Sequence, residues 1–71
     1  MKITAHANGS FSLVMTQDEH KTIGVEGSRR IKAYAMAKQA VNSHLVYDFF
    51  GSTSLGLALE VCNYYKLVRE K

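Results

Sequence analysis

An α+β domain is predicted by three features: alternating apolar residues on either side of an Asn-Gly pair near the start, a central stretch with apolar residues every three or four positions, and a second such stretch at the end. The expected order is ββ(β)αα, an N-terminal hairpin, an optional short third strand and two helices. Both helices would pack on one face of a small antiparallel sheet of two or three strands. As a single domain over 1–71, the chain divides into a sheet over 2–26, a helix over 29–45 and a helix over 54–69.

The hairpin register follows from KITAHANGSFSLVMT. A two-residue Asn8-Gly9 loop would pair Thr4 with Leu13 and His6 with Phe11, mixing polar and apolar side chains on both faces. A three-residue loop, Ala7-Asn8-Gly9, pairs Ala5 with Phe11 and Ile3 with Leu13. Lys2, Thr4 and His6 then lie opposite Val14, Ser12 and Ser10. A one-residue slip exchanges the faces, so the register with one clean apolar side is predicted, with Gly9 as the left-handed residue of a bulge.

Residues 17–21, QDEHK, read as a polar turn, and TIGVE at 22–26 alternates as a short strand whose Gly24 marks a bulge or close backbone approach. Gly27-Ser28 breaks the alternation, and Ser28 is a suitable N-cap for a helix starting at Arg29. In that helix Ala33, Tyr34, Ala37, Ala40, Val41, His44 and Leu45 share a face, leaving Arg30, Lys32, Gln39 and Ser43 toward water. Its charges are at the wrong end. Arg29, Arg30 and Lys32 crowd the N-terminus, where the peptide dipoles favour acidic groups.

LVYDFFGSTS interrupts the helical period, with Gly51 as a stop and Ser52 to Ser54 as a turn and cap. The last helix carries two apolar stripes: Leu55, Ala58, Leu59, Cys62 and Tyr65 on one, Leu57, Val61, Tyr64 and Val68 on the other. Lys66, Arg69 and Lys71 follow at the end that the dipole favours. Two stripes exceed what one buried face needs, so the helix is either sandwiched or shared with another molecule.

Composition bounds the function. With 46% apolar and 21% charged residues the chain folds, and at 71 residues its core only narrowly offsets folding entropy, which leaves a role for a partner. A lone Cys62 precludes an internal disulfide and fits a reducing compartment. MKITAHANGS lacks the apolar run of a signal peptide, and no segment approaches the roughly 18–20 apolar residues of a membrane span, so a cytoplasmic protein with no membrane partner is expected. Net charge is +3, mildly favouring polyanions.

No enzyme is expected. Asp18, Glu19 and Glu60 form no acid–base pair, and nucleophile, phosphate-loop and Cys–His signatures are absent. His6, His20, His44 and Cys62 lack metal-ligand spacing, so neither a metal nor a cofactor is expected. The chain is also short for a pocket that buries a small-molecule substrate.

Two binding surfaces remain. Arg29, Arg30, Lys32 and Lys21 could hold phosphates beside the backbone amides near Gly27 and Ser28; the alternative is a solvated helix end with Glu26 paired to an arginine. Lys2, Thr4, His6, Ser10 and Ser12 could face a DNA groove, or be the wet side of the sheet. The large aromatic anchors are Tyr34, Tyr47, Phe49, Phe50, Tyr64 and Tyr65, apart from Phe11 of the hairpin. Phe49-Phe50 beside Gly51 could form an exposed wedge or simply fill the core.

From Asn8 to about Leu45 the order of hairpin, third strand, Gly-Ser turn and basic alanine-rich helix resembles the arm-binding domain of lambda-type phage integrases. The match rests on Asn8-Gly9, the Gly24 to Gly27 region, Arg29-Arg30-Ile31 and alanines 33, 37 and 40. The resemblance implies a three-stranded sheet packed on one helix and inserted into the major groove of DNA. The chain departs from the family in having almost no arginine or lysine on the groove-facing side, and in its additional C-terminal helix.

The expected function is therefore non-catalytic binding, either of duplex DNA or in an accessory or regulatory role. Arg29, Arg30, Lys32 and Lys21 would sit on phosphates, with Lys2, His6 and Ser12 toward the groove. The alternative is a protein-interaction module, such as a small phage-type inhibitor of a host complex or a homodimer. It would act through Phe49, Phe50, Leu57, Val61, Tyr64 and Val68.

Overall fold

The computed structural model describes residues 1–69. The elements are β1 (Lys2–Ala5), β2 (Ser10–Thr16), α1 (Gln17–Tyr34), β3 (Ala37–Val41), β4 (His44–Phe50) and α2 (Ser52–Tyr64). The strands form one antiparallel sheet in the order β1-β2-β4-β3. Leu13 and Met15 of β2 and Tyr47 and Phe49 of β4 share a buried cluster with Ile23 and Ile31 of α1 and Leu55, Ala58 and Cys62 of α2. Both helices therefore cover the same face of the sheet. The α+β class, the leading hairpin and the two helices agree with the sequence, whereas the order is ββαββα and the strands number four. No helix among the described residues is long and apolar enough to cross a membrane.

The first hairpin has the predicted register, with Ala5 opposite Phe11 and Ile3 opposite Leu13. Gly9 has φ 85°, and His6 and Ser10 continue the ladder through a 2.9 Å hydrogen bond from the His6 amide to the Ser10 carbonyl.

The expected turn at 17–21 and strand at 22–26 are helix instead. The start of α1 is fixed by a capping box: the Thr16 hydroxyl accepts from the Glu19 amide at 3.2 Å, and the Glu19 carboxylate accepts from the Thr16 amide at 3.0 Å. Glu19 also pairs with the Met1 amino group. Gly24, at φ 67° and ψ −171°, interrupts the helical backbone in a region open essentially only to glycine, which explains the strand-like break in the pattern. Gly27 and Ser28 lie buried inside the helix, so Ser28 is no N-cap. A Cβ on Gly27 would come within 2.9 Å of the Tyr65 ring and 2.7 Å of the Ile23 Cβ.

The expected helix over 29–45 ends at Tyr34. Ala35 is extended, and the Met36 amide donates to Asp48 at 2.8 Å, opening the β3–β4 ladder. Asn42 and Ser43 have φ 49° and 66°, with Val41 and His44 paired across them. This is a two-residue turn of the I′ kind, which suits the right-handed twist of paired strands. The alanines that support a helical reading are overridden by β4, where Leu45, Tyr47 and Phe49 face the core and Val46, Asp48 and Phe50 face away.

The final helix begins two residues earlier than expected and ends at Tyr64, short of residue 69. Lys66 adopts φ 62°, with its amide on the Asn63 carbonyl at 2.9 Å and the Leu67 amide on Cys62 at 3.0 Å. These are the paired bonds of a Schellman termination, with Leu67 folded toward the core. Lys71 lies outside the described residues.

Ser43→Gly distinguishes the turn from the helix suggested by sequence. In a helix glycine would destabilise by about 0.5–1 kcal/mol. At this left-handed position it should stabilise by up to about 1 kcal/mol, raising the urea midpoint. A lowered midpoint would favour the helix.

Candidate functional site

The most developed polar cluster joins α1 to the second hairpin. Ser28 Oγ lies 2.8 Å from Tyr47 Oη, 3.2 Å from His20 Nε2 and 3.4 Å from Lys38 Nζ. Lys38 also lies 5.4 Å from the centre of the Tyr47 ring. Two proton arrangements satisfy all three contacts, with Lys38 donating to Ser28 in both: Tyr47 donates to Ser28 and Ser28 to His20, or His20 donates to Ser28 and Ser28 to Tyr47. The first requires neutral His20 with its proton on Nδ1. Burial and then the nearby Lys38 charge lower the His20 pKa below its ordinary value, in keeping with that form.

Beside this network, a cleft of about 370 Å³ opens between the first turns of α1 and the tip of the β3–β4 hairpin. His20 and Lys21 line one side, Ser43 and His44 the other, with Leu45 also in its wall. His44 Nδ1 is 2.9 Å from the Asn42 carbonyl, so Nδ1 carries the proton and Nε2 is left available. Of the sequence-derived candidates only Lys21 belongs to this cleft. His20, Ser28, Tyr47 and Lys38 escaped sequence reading because their meeting depends on the bend at Gly24 and on the unrecognised second hairpin.

The residues expected to bind DNA do not form one surface. Arg29, Arg30 and Lys32 are exposed on α1, but in its C-terminal half, so the charge misplacement disappears: Asp18 and Glu19 occupy the first turn and Lys32 the last. Arg30 pairs with Glu26 at 3.1 Å on the surface, the arrangement foreseen as the alternative. Lys2 and Ser12 lie on the sheet face opposite the helices, since Ile3 and Leu13 point to the core between their neighbours, but Lys2 is exposed whereas Ser12 is buried, at 8% exposure, and cannot face a groove. There Ser12 Oγ donates to Asp48 at 2.7 Å, leaving its lone pairs to accept from His6 Nε2 at 2.7 Å. His6 and Ser12 are thus already engaged with each other.

The expected protein interface also divides. Phe49 is completely buried, and adjacent Phe50 projects from the uncovered sheet face. Phe49 is therefore a core residue and not part of an exposed wedge. The two stripes of α2 differ in burial at most positions, although Val61 of the outer one packs partly against the core, as Leu59 and Tyr65 of the inner one do. Leu55, Ala58 and Cys62 are buried, whereas Leu57 and Tyr64 are 38% and 74% exposed, Val61 is half-buried, and Val68 beyond the helix is 78% exposed. Burial raises the Cys62 thiol to about 11, leaving it protonated and unreactive at neutral pH.

No family model, curated protein or solved structure matches the chain.

Tyr47→Phe removes one hydroxyl from the buried network while retaining the ring in the core. It should lower stability by about 1–2 kcal/mol, read from chemical denaturation, because Ser28 loses its shortest partner. An unchanged midpoint would show that the hydroxyl pair adds nothing to holding α1 on β4.

Proposed function

We propose that this is a non-catalytic cytoplasmic binding protein that self-associates through the outer side of α2. The supporting observation is Gly56. It sits exposed within the helix, and a Cβ there would meet nothing within 4 Å. Glycine inside a helix costs about 1 kcal/mol relative to alanine, with no steric reason for it within the monomer. Leu57, Val61 and Tyr64, at spacings of four and three, form a stripe centred roughly 100° around the helix from it, a seam suited to a second helix.

The second copy is the occupant of this seam. An antiparallel pairing whose two-fold axis passes at residue 60, midway between them, sets Tyr64 of each copy over Gly56 of the other and brings the two exposed Glu60 residues near that axis. It is an isologous contact, the commonest kind in small oligomers. Aromatic side chains are frequent anchors of such surfaces. The added buried area would also supplement the small core.

Light scattering across a micromolar concentration series should give a dimer mass, with Val61→Asp shifting it to monomer. Gly56→Ala should raise the denaturation midpoint of the dilute monomer while weakening the dimer at least ten-fold. A wild-type monomer at every concentration overturns the reading, as does an alanine variant that dimerises equally well.

A second reading, duplex DNA bound as the integrase-like resemblance implies, is favoured by Arg29 and Lys32. Both are exposed and without an ion pair among the described residues. Arg30 could contribute only by sharing or leaving Glu26. Fluorescence titration should then show binding that weakens steeply between 50 and 200 mM salt, roughly ten-fold or more for a few phosphate contacts. Absence of binding at 50 mM salt rejects it.

A further inference from the structure

The cleft between α1 and the second hairpin has the chemistry of a receptor for a small anion, independently of α2. The two sides come from distant parts of the sequence and present the same sign of charge or hydrogen-bond donor. From α1 come Gln17, His20 and Lys21; from the hairpin come Ser43 and His44 at its tip. No carboxylate lines the space among the described residues. Glu19, the acidic residue next to His20 in sequence, is held elsewhere, by the Thr16 amide and the Met1 amino group.

The internal bonds arrange these groups for an incoming acceptor. Ser28 occupies His20 Nε2, leaving Nδ1 as the nitrogen outside the network. Lys38 adds a positive charge behind the imidazole without itself lining the space. The His44 bond to Asn42 leaves Nε2 available, and protonation there turns it into a donor. Leu45 gives one wall an apolar surface, and 370 Å³ accommodates more than a bare tetrahedral ion.

We propose that this cleft binds a phosphomonoester, with Lys21 and His44 holding the phosphate from opposite sides, His20 Nδ1 and Ser43 donating to it, and Leu45 against the organic substituent. The sequence points to Lys21 alone as a phosphate contact, since Lys21, His20 and His44 come together only when α1 starts at residue 17 and residues 37–50 form a hairpin.

The test is a proton NMR titration of the full chain with inorganic phosphate and, separately, phenyl phosphate, following the imidazole and backbone resonances. Saturable shifts confined to His20, Lys21, Ser43 and His44 are expected, with phenyl phosphate binding at least three-fold more tightly than inorganic phosphate. Lys21→Gln and His44→Gln should each weaken phenyl phosphate at least five-fold, whereas Arg29→Gln, outside the cleft, should leave it unchanged. All three side chains are exposed, and backbone spectra verify that the variants fold. Shifts that fail to saturate by 50 mM or spread over the other basic residues overturn the proposal. So does equal binding by the cleft variants. Equal affinity for the two probes would overturn the assignment of an organic substituent.

Discussion

The whole arrangement depends on how α1 reaches both its neighbours. The helix leaves β2 directly, with no loop between Thr16 and Gln17, so its starting direction is set by the strand and by the capping box. A straight continuation is interrupted at Gly24. Beyond that bend Gly27 is close enough to Tyr65 that no side chain fits, and Ser28 reaches Tyr47 on the central strand β4. One glycine supplies a backbone angle and the other the absence of a Cβ. Together they place a buried hydroxyl where its hydrogen bonds can be met, without the penalty of an unsatisfied polar group.

This geometry accounts for which parts were legible in the sequence. The first hairpin was readable to the residue because its information is local: Asn8-Gly9 gives the turn, and alternation selects the register. The buried stripe of α2 was readable for the same reason. Residues 17–45 were not, although Thr16-Gln17-Asp18-Glu19 carries a capping signature that could have located the helix start. A glycine-broken helix mimics a short strand, while an alanine-rich strand with a terminal Asn-Ser turn mimics a helix. Only the pairing of Leu45, Tyr47 and Phe49 against β2 decides between them. That contact is non-local, so tertiary packing prevailed over propensity. The cleft followed the same rule: Lys21 was marked for its charge, but its companions became visible only through the fold.

The corrected chain path also changes the electrostatic question. Basic residues at a helix start would be a local penalty in need of compensation, whereas in the second half of α1 they are in favourable or neutral positions. Their presence no longer implies a ligand. The exposed Arg30–Glu26 pair contributes little by itself, since such pairs are solvated and screened. A DNA surface combining α1 with the polar sheet strands would have to embrace the domain from both sides, because the sheet separates them. Any groove contact must choose one face, and the uncovered sheet contributes Lys2 alongside Asp48, Ser12 and His6 without a concentration of positive charge.

Gly56 and Gly27 make an instructive contrast within one small domain. Both lie in helices, where glycine is disfavoured, and Gly27 has an evident reason because the Tyr65 ring occupies the space of its missing side chain. Gly56 has the same conformational disadvantage but faces open space. If the same physical logic applies at both places, the object that needs the room at Gly56 is not in the monomer. Tyr64, one of the more exposed aromatic side chains, is two helical turns away on the same helix, and a two-fold operation brings it back over Gly56 of a second copy. The cleft draws no lining residue from α2, so dimerisation through this helix leaves its walls intact. Self-association and anion binding would then use separate parts of the surface, with α1 and the sheet holding both in one framework.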